Sequence, residues 1–147
     1  MTANELWDTF KGRFPEAQDD YTVWAFGGAP DELAELVIQG IKTGTASAYP
    51  LYELEGEPLP KAGDYSVILD SKGNAVCVIQ TTAVTVVPFA RVPAAHAFQE
   101  GEGDRSLEYW RSVHAAFFTS ELDAYGLAFD PDMKVVCEEF KLLYTPE

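Results

Sequence analysis

The stretch GIKTGTAS, Gly40–Ser47, follows directly after the run DELAELVIQ, in which apolar residues recur at helical spacing. Gly40 is a typical helix stop, and Gly44 permits a backbone bend that other residues resist. The pattern therefore predicts a sharp turn beyond a helix end, carrying Lys42 and Thr45. These side chains would point to opposite faces of a straight strand, but they meet on one side of a turn. A neutral lysine beside a hydroxyl is one way to activate an oxygen nucleophile.

The rest of the chain predicts helices alternating with strands. Alternating apolar residues and turn formers indicate strands, and apolar residues at helical spacing after capping residues indicate helices. The predicted elements, in chain order, are a helix at Asn4–Phe10, a strand at Tyr21–Phe26, the helix before Gly40, a loop at Tyr49–Lys61, a hairpin of Tyr65–Leu69 and Val76–Val87, a loop between Pro88 and Pro93, a helix after Asp104 and a strand at Val135–Tyr144. This pattern favours an α+β mixed β-barrel with flanking α-helices over a doubly wound sheet.

The composition is that of a globular protein. The chain has 147 residues, of which 47% are hydrophobic and 13% aromatic, so it has enough apolar side chains for a core and is not of the disordered class. No apolar run approaches the roughly 18 residues of a membrane helix, and the first ten residues lack the basic and apolar blocks of a signal peptide. We therefore expect one domain over residues 1–147, a cytoplasmic location and no membrane partner.

The formal net charge of −14 restricts the partners. Such a protein repels polyanions at long range, which argues against long duplex nucleic acid and leaves a nucleoside, a modified base or a short RNA held in a pocket. Cys77 and Cys137 lie in apolar, strand-like runs and are expected to be buried thiols; a disulfide is the alternative if their strands are neighbours. No zinc-site spacing exists. We expect no metal, no cofactor, and a monomer or weak homodimer.

Four stretches carry a resemblance to a known family. They are GIKTGTAS after its helix, LPKAGDYSVILDSKGNAVCVIQTT (Leu59–Thr82), HAFQEGEGDRSLEYWRSVHAAFF (His96–Phe118) and VVCEEFKLLY (Val135–Tyr144). Together they resemble the ASCH domains, small proteins similar to the PUA family of RNA-binding barrels. The resemblance implies a PUA-like mixed β-barrel with flanking α-helices, preceded by an N-terminal extension over residues 1–20, as in a longer bacterial branch.

The resemblance also implies a catalytic set. In the ASCH proteins that act as amidohydrolases on acetylated cytidine, the lysine and threonine of a G-x-K-x-x-T motif act together with a glutamate. That glutamate follows an H-A-x-x-E pattern, matched here by His96, Ala97 and Glu100. Lys42, Thr45 and Glu100 are therefore the predicted catalytic residues. A neutral Lys42 would activate Thr45, and burial would raise the pKa of Glu100 so that it protonates the leaving amine.

Residues beside Glu100 are predicted to contact the substrate or to position this carboxylate. His96 lies four residues earlier, where a helical turn would let it orient the carboxylate. Arg105 is expected to compensate Glu100 or to hold the substrate, and Ser106 to supply a hydroxyl or a helix cap. The alternative for this segment is a flexible acidic loop that ends in a helix cap.

Three further polar or aromatic residues have a predicted role. Related motifs continue with an arginine two residues after the threonine, where this chain has Ser47, and Ser47 is taken as a substrate contact. Tyr49 is placed to stack on a base, although aromatic residues in a small domain usually belong to the core. His114 lies on the apolar face of the last predicted helix and is interpreted as a hydrogen-bonded, partly buried histidine.

The predicted function is binding of a nucleoside or RNA base in a small polar pocket, with hydrolysis of N(4)-acylated cytidine as its activity. Two alternatives stay open. One is a ribonuclease on short RNA, metal-assisted or metal-independent, with Lys42 beside the scissile phosphate. The other is a binding module without catalysis, which recognises RNA or a partner protein. All three need a concave pocket with a lysine, so the sequence does not separate them.

Overall fold

The computed structural model describes residues 1–146 and contains, within them, five α-helices and five strands. The helices are α1 (Ala3–Arg13), α2 (Pro30–Ile38), α3 (Tyr49–Glu55), α4 (Ala94–Glu100) and α5 (Leu107–Asp123), with a short 3-10 helix at Phe89–Arg91. The strands are β1 (Thr22–Trp24), β2 (Gly44–Ala48), β3 (Tyr65–Leu69), β4 (Ala75–Pro88) and β5 (Lys134–Tyr144).

The strands form one mixed sheet in the order β1-β3-β4-β5-β2. β1 pairs with β3 in parallel, and every other neighbouring pair is antiparallel. The two outer strands, β1 and β2, do not pair with each other in the described part of the chain, so the sheet is a half-barrel with an open side. The α+β, PUA-like architecture expected from the sequence is thereby confirmed.

Helices cover the sheet through separate apolar clusters. α1 is held by a capping box between Thr2 and Glu5 and buries Leu6, Trp7 and Phe10 against β3 and β4. The cluster around α5 includes Trp110, Phe118 and Phe89. Full burial of such a side chain contributes roughly 1.5–3 kcal/mol, so these contacts fix the helices on the sheet.

The structure corrects three of the predicted elements. Gly44–Ala48, expected as a turn, is the edge strand β2, paired with β5. Tyr49–Lys61 was expected to be a loop, but it begins with α3, which has a proline in its first turn. The helix predicted after Asp104 is α5, but its cap is Ser106 rather than Asp104. No element was predicted for Ala94–Glu100, which forms α4.

Strand β2 has small residues because it lies close to its neighbours. A Cβ atom on Gly44 would stand 3.1 Å from the Glu138 carbonyl oxygen and 3.3 Å from the Gln99 Cβ. Gly44 therefore serves close packing rather than a bend. In the register of β2 and β5, Thr45 lies directly opposite Glu138, so the two side chains share one face of the sheet.

Cys77 and Cys137 are buried free thiols, as expected. Burial raises the pKa of each thiol to about 12.

Within residues 1–146, none of the helices combines the length and the hydrophobicity that crossing a bilayer requires.

Candidate functional site

Two cavities that share a wall occupy the side of the sheet that carries Thr45. The smaller cavity, of about 310 Å³, lies between the start of α2, the entry into β2 and the α4–α5 connection. Its polar lining includes Lys42, Thr45, Glu100, Glu102 and His114. The structure therefore brings the three predicted catalytic residues to one cavity, together with two residues outside the predicted set.

Lys42 is held by the backbone on both sides. After the C-terminus of α2, the amides of Ile41 and Lys42 both donate to the Leu36 carbonyl, at 2.9 and 3.1 Å. The next amide, of Thr43, donates to the Gln99 carbonyl at 2.7 Å, which ties the segment to α4. These bonds aim the lysine side chain into the protein, where only 1% of its surface is exposed.

Two carboxylates surround the Lys42 amine. Its Nζ donates to Glu100 Oε1 at 3.3 Å and to Glu102 Oε2 at 3.0 Å, and it lies 3.3 Å from the Glu100 carbonyl oxygen. A buried ammonium requires such partners, because an unpaired charge in the interior is costly. Glu102 is 16% exposed, so this side of the ion-pair cluster reaches the cavity opening.

Glu100 accepts hydrogen bonds at both of its oxygens. Trp110 Nε1 donates to Oε2 at 2.6 Å and His96 Nε2 lies 2.7 Å from the same oxygen, while Oε1 faces Lys42 and, at 3.4 Å, His114 Nε2. These four contacts match the roughly four acceptor positions of a carboxylate. Glu100 is therefore fully engaged by the protein itself.

The pKa of Glu100 is shifted in the direction opposite to the expected one. Burial by itself raises the pKa of this carboxyl, but hydrogen bonds from His114 and His96 and the charge of Lys42 together lower it well below its ordinary value. The prediction that Glu100 is a protonated acid is therefore wrong, because it considered burial without the donors. An ionised Glu100 positions its neighbours and cannot give a proton to a substrate.

His114 is a site residue that the sequence interpretation missed. It is buried, as expected, and its Nδ1 lies 2.9 Å from the Trp110 carbonyl oxygen, but its ring also lines the smaller cavity. Burial lowers the pKa of His114, and the hydrogen bond and charge of Glu100 raise it by more, so the net shift is upward. His114 therefore favours the imidazolium form beside Glu100. The available sequence signal was its spacing of four residues from Trp110 on α5.

His96 and Arg105 have structural contacts. His96, on α4, orients Glu100 as expected and does not line either cavity. Arg105 stacks on the Phe98 ring at 3.6 Å and donates from Nε to the Phe98 carbonyl and from Nη2 to the Ile41 carbonyl. Arg105 is thus turned away from both cavities, and the expectation that it pairs with Glu100 or holds the substrate is corrected.

The other predicted contacts divide between the cavities and the scaffold. Ser106 caps α5 by accepting from the Tyr109 amide at 3.1 Å, which leaves only the cap interpretation. Tyr49 begins α3, and its ring lies 5.4 Å from Lys134 Nζ, outside both cavities. Ser47 lines the larger cavity, where its hydroxyl is 2.7 Å from the Tyr52 hydroxyl.

The larger cavity, of about 700 Å³, lies at the open side of the half-barrel between β1 and β2. It shares Phe26, Gly27, Thr45, Ala46 and Phe117 with the smaller cavity, so the two adjoin at Thr45. Among residues 1–146, the charged residues that line it are Asp20, Glu57, Asp64, Glu121, Glu138 and one cation, Lys61. Burial raises the pKa of Glu138 to about 7, against the hydrogen bond from Thr81 that lowers it.

A group of metal-binding side chains occurs in the smaller cavity. One ligand atom each from Glu100, Glu102 and His114 lies within 4.8 Å of the others. The Lys42 amine contacts both of these carboxylates, so an ion at this position would have to displace a buried ammonium group. The donor set fits a divalent cation only if Lys42 moves or becomes neutral.

Comparison with known proteins identifies the family. A family model described as the ASCH domain matches residues 22–144. The chain belongs to the ASCH domain family. The search of curated proteins found no match.

Similar folds occur among solved structures. Protein EF3133 from Enterococcus faecalis V583 is 37% identical, with 95% of this chain and 86% of that chain covered and a TM-score of 0.87. An ASCH domain from Lactobacillus crispatus JV V101 is 28% identical, with 94% of each chain covered and a TM-score of 0.82. A mutant ASCH protein from Zymomonas mobilis, at 12% identity, 85% and 71% coverage and a TM-score of 0.50, shares the fold alone.

Proposed function

We propose that this ASCH protein binds a nucleoside or RNA base in its two adjoining cavities and hydrolyses an amide of that ligand, with N(4)-acylated cytidine as the substrate class. The observation that carries the proposal is the lysine amine held at 3.3 and 3.0 Å from two carboxylates in a cavity that Thr45 also lines. Nucleophilic catalysis by threonine requires a base that can reach its hydroxyl, and Lys42 and Thr45 line the same cavity.

Lys42 and Thr45 carry the first step. Lys42 passes one proton to Glu102 and takes the proton of the Thr45 hydroxyl. The Thr45 oxygen attacks the amide carbonyl carbon and forms a C–O bond. The C–N bond then breaks, which leaves an acyl-threonine ester and a free amine. Glu102 suits the role of proton acceptor because it contacts Lys42 and, unlike Glu100, has part of its side chain exposed.

His114 replaces Glu100 as the proton donor in this mechanism. Its imidazolium form gives a proton to the leaving amine, and the resulting neutral ring takes a proton from water, which attacks the ester. The ester bond to Thr45 breaks, the threonine oxygen recovers its proton from Lys42, and Lys42 regains its own proton from Glu102, which restores the starting state. Glu100 remains ionised throughout and holds Lys42 and His114 in place.

The acidic lining weighs against the ribonuclease alternative. The larger cavity has five carboxylates and one lysine, and the protein has a net charge of −14. A phosphodiester would be repelled by both. A binding module without turnover would use the same cavities, and a turnover measurement separates it from a hydrolase.

The test is incubation of the purified protein with N(4)-acetylcytidine in the presence of EDTA, with chromatography to measure cytidine and acetate. We expect metal-independent turnover that Thr45→Val lowers by at least about 10³-fold. Lys42→Arg should be nearly inactive, because the guanidinium keeps the charge but cannot act as a base. Thr43→Val is the matched control, since Thr43 is exposed and lines neither cavity.

Three results would overturn the proposal. Full activity in Thr45→Val would remove the nucleophile, saturable binding without turnover would indicate a binding module, and cleavage of a short RNA would indicate a nuclease.

A further inference from the structure

Glu138 is a buried carboxyl group at the floor of the larger cavity, and the proposed reaction does not use it. It lies on β5, directly opposite Thr45, and only 8% of its surface is exposed. Directly opposite residues of an antiparallel pair have Cβ atoms about 4.5–5.5 Å apart. A ligand whose reacting carbon lies at the Thr45 hydroxyl is therefore within reach of the Glu138 carboxyl group.

The protein only partly satisfies this carboxyl group. Thr81 Oγ1 donates to Glu138 Oε1 at 3.3 Å. Among residues 1–146, every ion pair involves other groups, so neither lysine, arginine nor histidine lies within 4.0 Å of Glu138. A carboxylate has about four acceptor positions, and a buried one with few donors is unfavourable. Donors from a molecule in the cavity would complete its hydrogen bonding.

The charges around Glu138 restrict that molecule. Asp64 and Lys61 face the cavity from the segment before β3, Glu57 from the loop after α3, and Glu121 from α5. Asp20 precedes β1, and the Tyr52 hydroxyl of α3 is engaged with Ser47. Asp64 adds to the upward shift of the Glu138 pKa, which burial dominates. An anionic ligand is unfavourable here, whereas an uncharged ligand with N–H groups is complementary.

We propose that Glu138 is the specificity-determining residue of the larger cavity. Its carboxylate accepts a hydrogen bond from the exocyclic N–H of an uncharged cytosine-type ligand, and the acidic lining excludes phosphorylated forms of that ligand. The choice of a cytosine-type ligand rests on the proposed function. The hydrogen bond itself does not require hydrolysis. It requires only that the ligand occupy the cavity with its exocyclic nitrogen beside Thr45.

Calorimetric titration tests the inference with cytidine, N(4),N(4)-dimethylcytidine and cytidine 5′-monophosphate. A donor binds the ionised carboxylate, and Glu138 ionises near pH 7, so cytidine should bind about tenfold more tightly at pH 8 than at pH 6. Dimethylcytidine has no exocyclic N–H and should show no such gain. Cytidine 5′-monophosphate should bind at least about tenfold more weakly than cytidine at pH 8.

Variants assign the effect to Glu138 rather than to His114, an ionisable residue of the adjoining cavity. Glu138→Gln keeps the shape, so it should fold, bind cytidine about tenfold more weakly at pH 8 and lose most of the pH dependence. Glu16→Gln, at an exposed position outside both cavities, is the control for lost charge and should bind as the wild type does.

The outcomes separate this inference from the proposed hydrolysis. Cytidine binding that is independent of pH, or unchanged in Glu138→Gln at pH 8, would overturn the role of Glu138, as would the absence of any cytidine binding. The expected binding pattern without turnover of N(4)-acetylcytidine would leave Glu138 as a specificity residue and overturn only the hydrolase.

Discussion

Replacing Glu100 with glutamine directly tests how the smaller cavity is built. Glutamine keeps the volume, but its NH2 group replaces an oxygen that faces two donors, and the buried Lys42 loses one of its two carboxylates. Breaking a buried ion pair typically costs about 3–5 kcal/mol. Since Glu102 still contacts Lys42, we expect about 3 kcal/mol, equivalent to a fall in Tm of roughly 6–12 °C for a chain of this size.

Urea unfolding at pH 7, followed by tryptophan fluorescence, measures this loss. Glu108→Gln removes a charge from the exposed face of α5 and should change the free energy of unfolding by less than about 0.5 kcal/mol. The pKa of Glu100 is lowered from 4.5 in the folded state, so its stabilisation is complete above pH 4.5 and is lost as the pH falls through the folded-state pKa. A loss below about 1 kcal/mol at pH 7, or one that persists unchanged in acid, would refute the reasoning.

Three further substitutions test the roles of Arg105, Glu138 and Gly101. Arg105→Ala should leave cytidine affinity within about twofold and lower the free energy of unfolding by about 1 kcal/mol. The reason is that Arg105 contacts two backbone carbonyls and the Phe98 ring and lines neither cavity, so a large loss of affinity would contradict this prediction. Burial raises the pKa of Glu138 from 4.5 to about 7, so the protonated carboxyl group stabilises the fold below pH 4.5 and this stabilisation is lost as the pH rises through 7. Glu138→Gln should therefore raise the free energy of unfolding by about 2–3 kcal/mol at pH 8 and by much less at pH 4.5. Gly101→Ala should lower Tm more than Gly126→Ala, by an amount equivalent to at least about 1 kcal/mol. Both glycines have φ +72°, but of the two only Gly101 would place its new Cβ against another atom, 2.8 Å from the Ile41 carbonyl oxygen.

The sequence predicts the elements whose local pattern agrees with their environment. The hairpin of β3 and β4 alternates apolar residues around a polar turn with glycine, and α5 repeats them at helical spacing, so both were found. Helices α3 and α4 have seven residues each and prolines at or beside their first residue, a local pattern that also fits a loop. Their helical form depends on packing, which a local pattern does not contain.

In the candidate site, too, some features were predicted from the sequence and others depend on tertiary packing. The resemblance to the ASCH family grouped Lys42 with Glu100, and the structure places the Lys42 amine 3.3 Å from Glu100 Oε1. The lowered pKa of Glu100 depends in part on His114, which reaches it from another helix. Glu138 joins the site through the register of β2 and β5. Contacts of this kind arise from tertiary structure, so the sequence alone did not predict them.

The pairing of Lys42 with Glu100 also has a consequence for the order of folding. The two residues are separated by 58 positions along the chain, and each is costly to bury without the other. We therefore expect both charges to stay hydrated until α4 and α5 reach the segment before β2, so that their contact forms late in folding. Interactions that form after the transition state govern the rate of unfolding and have little effect on the rate of folding. We therefore expect the ion pair that shapes the cavity to slow unfolding and so to prolong the lifetime of the folded protein.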